Sequence, residues 1–249
     1  MSTRQVVRHR SGRARLVFLF DVDNTLLDND QVIADLNVFL KREVGPERAR
    51  CYWAIFEKQR KQLGYADYLG SLQRFRRDYP HDLSLLAISR YLLDYPFAER
   101  LFSQSLAVID YVRRWGLVVL LTDGDVVFQP HKVDRSGLYR AVNGNALIYV
   151  HKERELADVE ARYPADHYVL VDDKLAILTA IKKVWKSRVT TIFVRQGHYA
   201  LDAGILARNP NADVSIAGIG DLLHCERGTF EPSAQRSPRR AGKADHQSE

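Results

Sequence analysis

Residues 16–25 of the chain read LVFLFDVDNT, and this stretch decides the fold. Its first five residues are apolar without alternation, which is typical of a strand buried on both faces of a parallel sheet. Asp21 and Asp23 follow the apolar run directly. Because Asp, Asn and Thr also occur in turns and helix caps, the stretch by itself fits a capped turn as well as a site.

Apolar runs of the same kind recur along the chain, at 117–121, 147–150, 168–171 and 190–194. Helical patterns lie between them, at 105–115, 153–162 and 175–185. Alternating strands and helices predict an α/β fold, a Rossmann-like doubly wound parallel sheet with right-handed crossovers. Ligands bind beyond the carboxyl ends of the strands in such sheets, so the predicted site lies there.

Residues 30–102 break this alternation. Helical spacing there predicts four helices, at 31–43, 46–63, 65–79 and 82–93. Pro46 stands after Gly45, where it suits the first turn of a helix. The pattern predicts an all-helical cap at 30–102, inserted into a catalytic core made of 16–29 and 103–225.

The net charge of +6 belongs mostly to the N-terminal end of the chain. Residues 1–15 carry five arginines and no acidic residue, whereas the body between the two ends is formally neutral. A neutral body argues against a nucleic-acid-binding surface. Both ends lack apolar periodicity, so 1–15 and 226–249 are predicted to be disordered tails.

The sequence favours a cytoplasmic protein. The longest apolar runs are far too short to span a bilayer, and no apolar stretch follows the N-terminal arginines before Leu16. Cys51 and Cys225 are far apart and predict two reduced thiols, not a disulfide or a zinc site.

Acidic residues collect at the predicted carboxyl ends of the strands. Asp21 and Asp23 follow the first strand, and Asp172 and Asp173 follow a later one that a parallel sheet places beside it. Carboxylates this close repel each other unless a cation intervenes, and Mg²⁺ prefers hard oxygen ligands. One carboxylate could attack phosphorus while a second donates and accepts protons. A helix cap would explain one of the two adjacent aspartates but not both.

The other strand ends carry residues that suit a phosphate ligand. Thr122, Asp123 and Gly124 could hold phosphate oxygens through a hydroxyl and backbone N–H groups, because glycine lets the backbone approach closely. Lys152 follows the short strand at 147–150 and would offset charge on a phosphoryl group. A lone threonine or lysine is more often a surface or cap residue, so the order of the motifs carries the argument.

In that order, the four motifs resemble those of the haloacid dehalogenase (HAD) superfamily, over roughly residues 16–223. The resemblance implies a Rossmann-like core, a helical cap at this place, Mg²⁺ and an aspartyl-phosphate intermediate. By position, it implies that Asp21 is the nucleophile and a metal ligand. It also implies that Asp23 is the general acid and base and binds the metal through its main-chain carbonyl.

The same resemblance implies roles for the remaining residues. Asp172 would be the third metal ligand, and Asp173 an outer or alternative acidic partner. Thr122 and Lys152 would hold the transferring phosphoryl group. Asp123 departs from the family's pattern, since many members have Asn there, and it adds an anion at the edge of the pocket.

Lys132 competes with Lys152 for the basic motif, because it follows Thr122 at a short distance. Lys152 is preferred, since it comes directly after a predicted strand and before the helix that leads to Asp172. If Lys132 fills the role, Lys152 is an ordinary helix-start residue. Dehalogenation is disfavoured, because replacing a carbon-bound halide needs neither a metal nor an acid at the position of Asp23.

The predicted function is therefore Mg²⁺-dependent hydrolysis of a small phosphorylated metabolite by a phosphatase. Two alternatives stay open, which are phosphotransfer as in a mutase and phosphate-ligand binding without turnover. A phosphotransferase would pass the phosphoryl group to an acceptor hydroxyl in place of water. The sequence leaves the identity of the substrate and the oligomeric state open.

The cap is expected to supply most substrate contacts. Its candidate residues are Tyr52, Trp53, Tyr65, Tyr68, Arg74, Arg76 and Arg77. Trp53, Phe56 and Arg60 also fit one helical stripe, which favours packing in the core. The loop at 195–199 is expected to overhang the site, with His198 in a structural rather than a catalytic role.

Overall fold

The computed structural model of the chain describes residues 14–231. Its strands are β1 (Ala14–Phe20), β2 (Leu117–Asp123), β3 (Ala146–Tyr149), β4 (Ala165–Asp172), β5 (Val189–Val194) and β6 (Val214–Ile216). They form one sheet in the order β3-β2-β1-β4-β5-β6, and every neighbouring pair is parallel. This is the predicted α/β, Rossmann-like doubly wound sheet.

Helices flank the sheet and precede most of its strands. The α-helices are α1 (Asn29–Leu63), α2 (Tyr68–Asp78), α3 (Ser84–Asp94), α4 (Ser105–Val112), α5 (Phe128–Arg135), α6 (Leu138–Ala141), α7 (Leu156–Arg162), α8 (Leu175–Trp185), α9 (Gly197–Leu201), α10 (Ala203–Arg208) and α11 (Arg227–Phe230). Short 3₁₀ helices lie at Phe97–Arg100, Lys152–Arg154, Lys186–Arg188 and Ile219–His224.

Strand β1 is buried on both faces, as its uninterrupted apolar run predicts. Val17 and Leu19 pack into one cluster with residues of α8, whereas Phe18 and Phe20 pack into a second cluster on the opposite face. Successive side chains of a strand point to opposite faces, so a strand covered on both sides must be apolar throughout. The burial holds β1 in the middle of the sheet, where its carboxyl end has neighbours on both sides.

Helices α1, α2 and α3, which we call the cap, follow β1 without any intervening strand. Gly45 interrupts α1 with a φ of 82° and a ψ of 164°, just before Pro46. Proline has no N–H and glycine accepts a positive φ, so the break falls where the two predicted helices 31–43 and 46–63 meet. Asp28 caps α1 by accepting a hydrogen bond from the Gln31 N–H at 2.9 Å.

Several predicted bounds differ from the structure. The helix predicted at 65–79 begins at Tyr68, because the Asp67 side chain accepts a hydrogen bond from the Gly70 N–H at 2.7 Å and caps it there. The helix predicted at 153–162 is divided into the 3₁₀ turn at Lys152–Arg154 and helix α7. Strand β6 was not predicted, since three residues pairing along one edge leave little periodic signal.

The predicted tails were wrong at their inner bounds. Strand β1 begins at Ala14, whose N–H donates to Pro164 O at 2.8 Å, so two residues of the 1–15 tail belong to the sheet. In the 226–249 tail, α11 buries Phe230 against Phe18 and Trp115, with ring centroids 5.1 and 5.2 Å apart. A single buried aromatic anchors this turn, which composition alone does not reveal. The rest of both tails lies outside the described residues.

Over residues 14–231, no helix combines the length and the apolar character needed to cross a lipid bilayer.

Candidate active site

The carboxyl ends of three adjacent strands meet at the centre of the sheet. Strand β1 is hydrogen bonded between β2 and β4, and Phe20 is level with Leu120 on one side and Val171 on the other. The residues that follow these positions therefore come together at one edge. They are Asp21 and Asp23 from β1, Thr122, Asp123 and Gly124 from β2, and Asp172 and Asp173 from β4.

Lys152 lies at the bottom of this group and is fully buried. Its Nζ donates to Asp21 Oδ1 at 2.6 Å and to Leu121 O at 3.3 Å. It also forms an ion pair with Asp172 Oδ2 at 2.7 Å. Burial alone lowers the pKa of Lys152, but the carboxylates of Asp172, Asp21 and Asp123 outweigh burial and hold the pKa above its usual value. The lysine is therefore a cation, and it ties two strands together through their acids.

Asp21, Asp172 and Asp173 form a buried group that we call the acidic trio. One carboxylate oxygen from each lies within 4.8 Å of the others. Neither oxygen of Asp173 has a hydrogen-bond partner among the described residues. Burial, Asp172 and Asp21 raise the pKa of Asp173 to about 9, and burial raises the pKa of Asp172 to about 6 although Lys152 opposes it. Three buried carboxylates with oxygens to spare are a donor set that suits a hard divalent cation.

Asp23 lies apart from the trio and reaches the surface of the site. Its side chain is 22% exposed, compared with 3% for Asp21. Lys132 Nζ donates to both Asp23 oxygens, at 2.8 and 2.9 Å, and to Asn29 Oδ1 at 3.0 Å. The structure thus separates the two candidate lysines, because Lys152 contacts Asp21 while Lys132 contacts Asp23.

The end of β2 is engaged mostly in internal hydrogen bonds. Thr122 is buried, and its Oγ1 accepts a hydrogen bond from Gln129 Nε2 at 3.1 Å. Asp123 Oδ1 accepts one from the Lys152 N–H at 2.7 Å, and burial raises the Asp123 pKa. The Gly124 N–H donates to Tyr149 O at 2.9 Å. The Gly124 N–H is thus occupied by a backbone carbonyl, and its contact with a phosphate stays a prediction.

Close packing explains why position 124 is a glycine. A Cβ atom at this position would lie 2.4 Å from the Cβ of Gln129. Gln129 is the residue that donates to Thr122 and comes within 3.5 Å of Asp23 Oδ2. Gly124 therefore lets α5 approach the site closely enough to deliver Gln129 and, one turn later, Lys132.

A cleft of about 230 Å³ lies between the sheet and the cap. Its base includes Asp23, Asp123, Gly124 and Lys174. Its wall includes Trp53, Phe56, Arg60, Tyr65, Tyr68 and Tyr199. The helical stripe of Trp53, Phe56 and Arg60 thus faces the cleft as well as the cap's interior.

Four other cap candidates lie elsewhere. Tyr52 is buried and donates to Tyr68 O at 3.0 Å. Arg74 and Arg77 line a separate groove between α1 and α2, and Arg76 lines another between α2 and α3. The arginine that does face the cleft is Arg60, which the sequence analysis considered only as part of a packing stripe. The signal was present, since Arg60 follows Phe56 by one helical turn on the same face.

The segment after β5 lines the cleft, as expected, but its contacts come from α9 and not from a loop. It joins the core to the cap. Tyr199 OH accepts a hydrogen bond from Arg60 Nη1 at 2.9 Å, and Arg60 also pairs with Glu57 at 2.9 Å. His198 contacts Asp30 twice, through its backbone N–H at 2.8 Å and its Nδ1 at 2.6 Å. His198 therefore has the structural contact that the sequence predicts.

Comparison with solved structures gives the class of protein that this fold and site define. The chain is 52% identical to a protein from Burkholderia xenovorans LB400 that is assigned to the haloacid dehalogenase-like hydrolases. The match covers 86% of this chain and 98% of that one, with a TM-score of 0.83. The chain belongs to the HAD-like hydrolases. No protein-family model matches the chain, and no curated protein matches it.

More distant solved structures share the fold. The HAD hydrolase YfnB from Bacillus subtilis, solved with bound magnesium, is 16% identical, covers 86% of this chain and 98% of its own, and has a TM-score of 0.56. The L-2-haloacid dehalogenase from Xanthobacter autotrophicus, solved with chloropropionic acid covalently bound, is 14% identical, covers 84% and 96%, and has a TM-score of 0.54. At these identities the likeness extends to the fold alone.

Proposed function

We propose that this chain is a Mg²⁺-dependent phosphatase that hydrolyses a small phosphate monoester through an aspartyl-phosphate on Asp21. The observation that supports the proposal most is that two aspartates at the end of one strand lie in different environments. Asp21 is buried, charge-paired with Lys152 and part of the acidic trio. Asp23 lies in the cleft, where a substrate's leaving oxygen would be.

The residues present fit a magnesium ion. Asp21, Asp172 and Asp173 would hold it through carboxylate oxygens, together with the main-chain carbonyl of Asp23 that the family resemblance implies. The unpartnered oxygens of Asp173 are the observation that supports this fit, because buried carboxylates without a partner are rare in folded proteins. When bound, the ion would offset the negative charge of the phosphate and of the aspartates.

Asp21 is arranged as a nucleophile. Its Oδ1 is held by Lys152, while Oδ2 has, among residues 14–231, only a long contact with Thr25 Oγ1 at 3.4 Å. The ammonium of Lys152 fixes the orientation of the Asp21 carboxylate through this charge-assisted hydrogen bond. We therefore assign Oδ2 as the atom that attacks phosphorus.

Asp23 would move the protons of both steps. In the first step the bond between Asp21 and phosphorus forms, the bond to the leaving oxygen breaks, and Asp23 gives that oxygen its proton. In the second step Asp23 takes a proton from water, the water oxygen bonds to phosphorus, and the bond to Asp21 breaks. The products are an alcohol and inorganic phosphate, with both carboxyl groups restored.

Dehalogenation is the second candidate, because the fold is shared with L-2-haloacid dehalogenases. A departing halide takes no proton, so this chemistry gives Asp23 no role. It also gives no role to a cation beside the trio. The phosphatase proposal uses both features and is preferred for that reason.

The test is a comparison of two substrate classes on the same purified protein. Phosphate release from p-nitrophenyl phosphate, sugar phosphates, nucleotides and phosphoglycolate is measured with Mg²⁺ and with EDTA. Halide release from L-2-chloropropionate is measured in parallel. We expect phosphate release with Mg²⁺ only, no halide release, and no turnover by Asp21→Asn. Metal-independent halide release would overturn the proposal.

The size of the cleft supports a small substrate. About 230 Å³ is below the usual range for drug-sized ligands. We therefore propose a small phosphorylated metabolite as the partner, rather than a phosphorylated protein or a nucleic acid. Cys51 and Cys225 are both free thiols, which supports the proposal that the reaction takes place in the cytoplasm.

A further inference from the structure

We propose that Lys174 is the residue that donates hydrogen bonds to the non-bridging oxygens of the substrate's phosphoryl group. The proposal rests on the proposed function, and it adds a phosphate-binding residue that none of the four motifs contains. It also changes the expected role of Lys152, which would orient Asp21 rather than hold phosphate.

Three lysines surround the site, and two of them are fully engaged by other residues of the protein. Lys152 is occupied by Asp21, Asp172 and Leu121 O. Lys132 is occupied by both oxygens of Asp23 and by Asn29 Oδ1. The Lys174 ammonium forms no hydrogen bond and no ion pair within residues 14–231. Of these three cations, Lys174 is the one with donors to offer a ligand.

Lys174 is also in the right place. It lines the cleft together with Asp23, Asp123 and Gly124, and it is partly exposed there. Its backbone N–H donates to Asp172 Oδ1 at 2.8 Å, which fixes the start of α8 against the acidic trio. The side chain therefore starts from a fixed backbone position beside the acidic trio and reaches the cleft.

The surroundings hold the ammonium in this orientation. Lys174 Nζ lies 5.3 Å from the ring centroid of Tyr199, within range of a cation–π interaction. A lysine side chain is a cation at neutral pH. This one lines the same cleft as Asp23, where the proposed function places the substrate.

The experiment measures the binding of inorganic phosphate to the Mg²⁺-loaded protein by titration calorimetry. Lys174→Met removes the donors, Lys174→Arg restores a cation, and Lys183→Met is a matched control on the exposed face of the same helix. Charge-assisted hydrogen bonds of this kind correspond to a loss of about 10- to 100-fold in phosphate affinity for Lys174→Met. We expect Lys174→Arg to recover most of the affinity and Lys183→Met to match the wild type.

A second titration with Mg²⁺ separates phosphate binding from a structural defect. Removing a cation beside Asp21 and Asp173 should leave Mg²⁺ affinity equal or tighter, whereas a distorted site would lose both ligands. Unchanged phosphate affinity in Lys174→Met, equal losses of phosphate and Mg²⁺, or no phosphate binding by the wild type would each overturn the proposal.

The result does not depend on turnover. A wild-type protein that binds phosphate, loses this binding in Lys174→Met and hydrolyses no ester would support the role of Lys174 while refuting the proposed function.

Discussion

The floor of the cleft and its rim use charge in opposite ways. By the floor we mean the buried charges beneath the residues that line the cleft. There, Lys152, Asp21 and Asp172 are almost completely buried, and Lys152 joins the acids at the ends of β1 and β4. On the rim, Arg60 and Glu57 are 37% and 45% exposed, and His198 and Asp30 are 50% and 34% exposed. Charges on the floor cannot be screened by water, so each depends on its partners. Charges on the rim remain solvated and can be exchanged at small cost.

This difference indicates where chemistry and substrate choice are encoded. The positions of the charged residues on the floor are set by the order of the strands. These residues can therefore vary little without loss of the fold. The rim comes from α1 and from α9, which contact each other through a few polar groups. We infer that the reaction is set on the floor and that the substrate is selected at the rim.

Apart from the loss of turnover in Asp21→Asn, the largest effect should follow from removing Asp23, the acid that lines the cleft. Asp23→Asn is expected to lower turnover by about 10²- to 10⁴-fold, because both proton transfers lose their carrier. The loss should be greater for an alkyl phosphate than for p-nitrophenyl phosphate, whose leaving group needs little protonation. Steady-state kinetics on the two esters measures this difference, and equal losses would contradict the acid role.

Variants of the floor and of the rim should also differ in their free energy of unfolding. Lys152→Met leaves Asp21 and Asp172 buried without their cation and should reduce the free energy of unfolding by about 3–5 kcal/mol. Arg60→Met removes an exposed pair and should change it by less than about 1 kcal/mol. Urea unfolding without added metal measures both values. Similar losses for the two variants would mean that the floor is not held by its charges.

The smallest effect concerns pH. Burial raises the pKa of Asp35, but hydrogen bonds from Tyr95, Gln31 and Arg100 outweigh it and hold the pKa below its usual value. Such a carboxylate stabilises the fold above its unfolded pKa, and this contribution disappears as pH falls through the folded pKa. Asp35→Asn should therefore cost up to about 1 kcal/mol at pH 7 and nothing at about pH 2.

Urea unfolding at the two pH values checks this prediction. A difference between the wild type and Asp35→Asn that persists in acid would assign the effect to packing instead. Asp173 is shifted the other way, since burial and its acidic neighbours raise its pKa to about 9. The two aspartates thus show that hydrogen-bond donors lower the pKa of a carboxyl group, whereas burial among acidic neighbours raises it.

Much of the fold could be predicted from the sequence because buried parallel strands need uninterrupted apolar runs. Helix α8 has the predicted bounds, and β1, β2, β4 and β5 were each located to within a few residues. Strand β6 and α11 were missed, since three edge residues and one anchoring phenylalanine give no periodic pattern. The interruption of α1 at Gly45 could be predicted, because a glycine followed by a proline is typical of a helix boundary.

The site could be predicted less completely. Asp21, Asp172 and Asp173 meet because the strand order places them together, and a parallel sheet predicts that order only in outline. Which lysine contacts Asp21 depends on the turn after β3, not on spacing. Nothing in the sequence indicated a role for Lys174 in the site, since a lysine after two aspartates is common at the start of a helix. The direction of its side chain is decided by Tyr199, 25 positions later in the chain.

The central claim is that Asp21 carries the phosphoryl group, and mass spectrometry of the trapped enzyme tests it most directly. Asp23→Asn is mixed with Mg²⁺ and p-nitrophenyl phosphate and quenched in acid, because this variant should still form the intermediate but hydrolyse it slowly. The account predicts one phosphoryl group on the peptide that contains Asp21, and none when Asp21→Asn is added to the variant. Release of p-nitrophenol with Asp21 unmodified at every time point, or with the label on another residue, would contradict it.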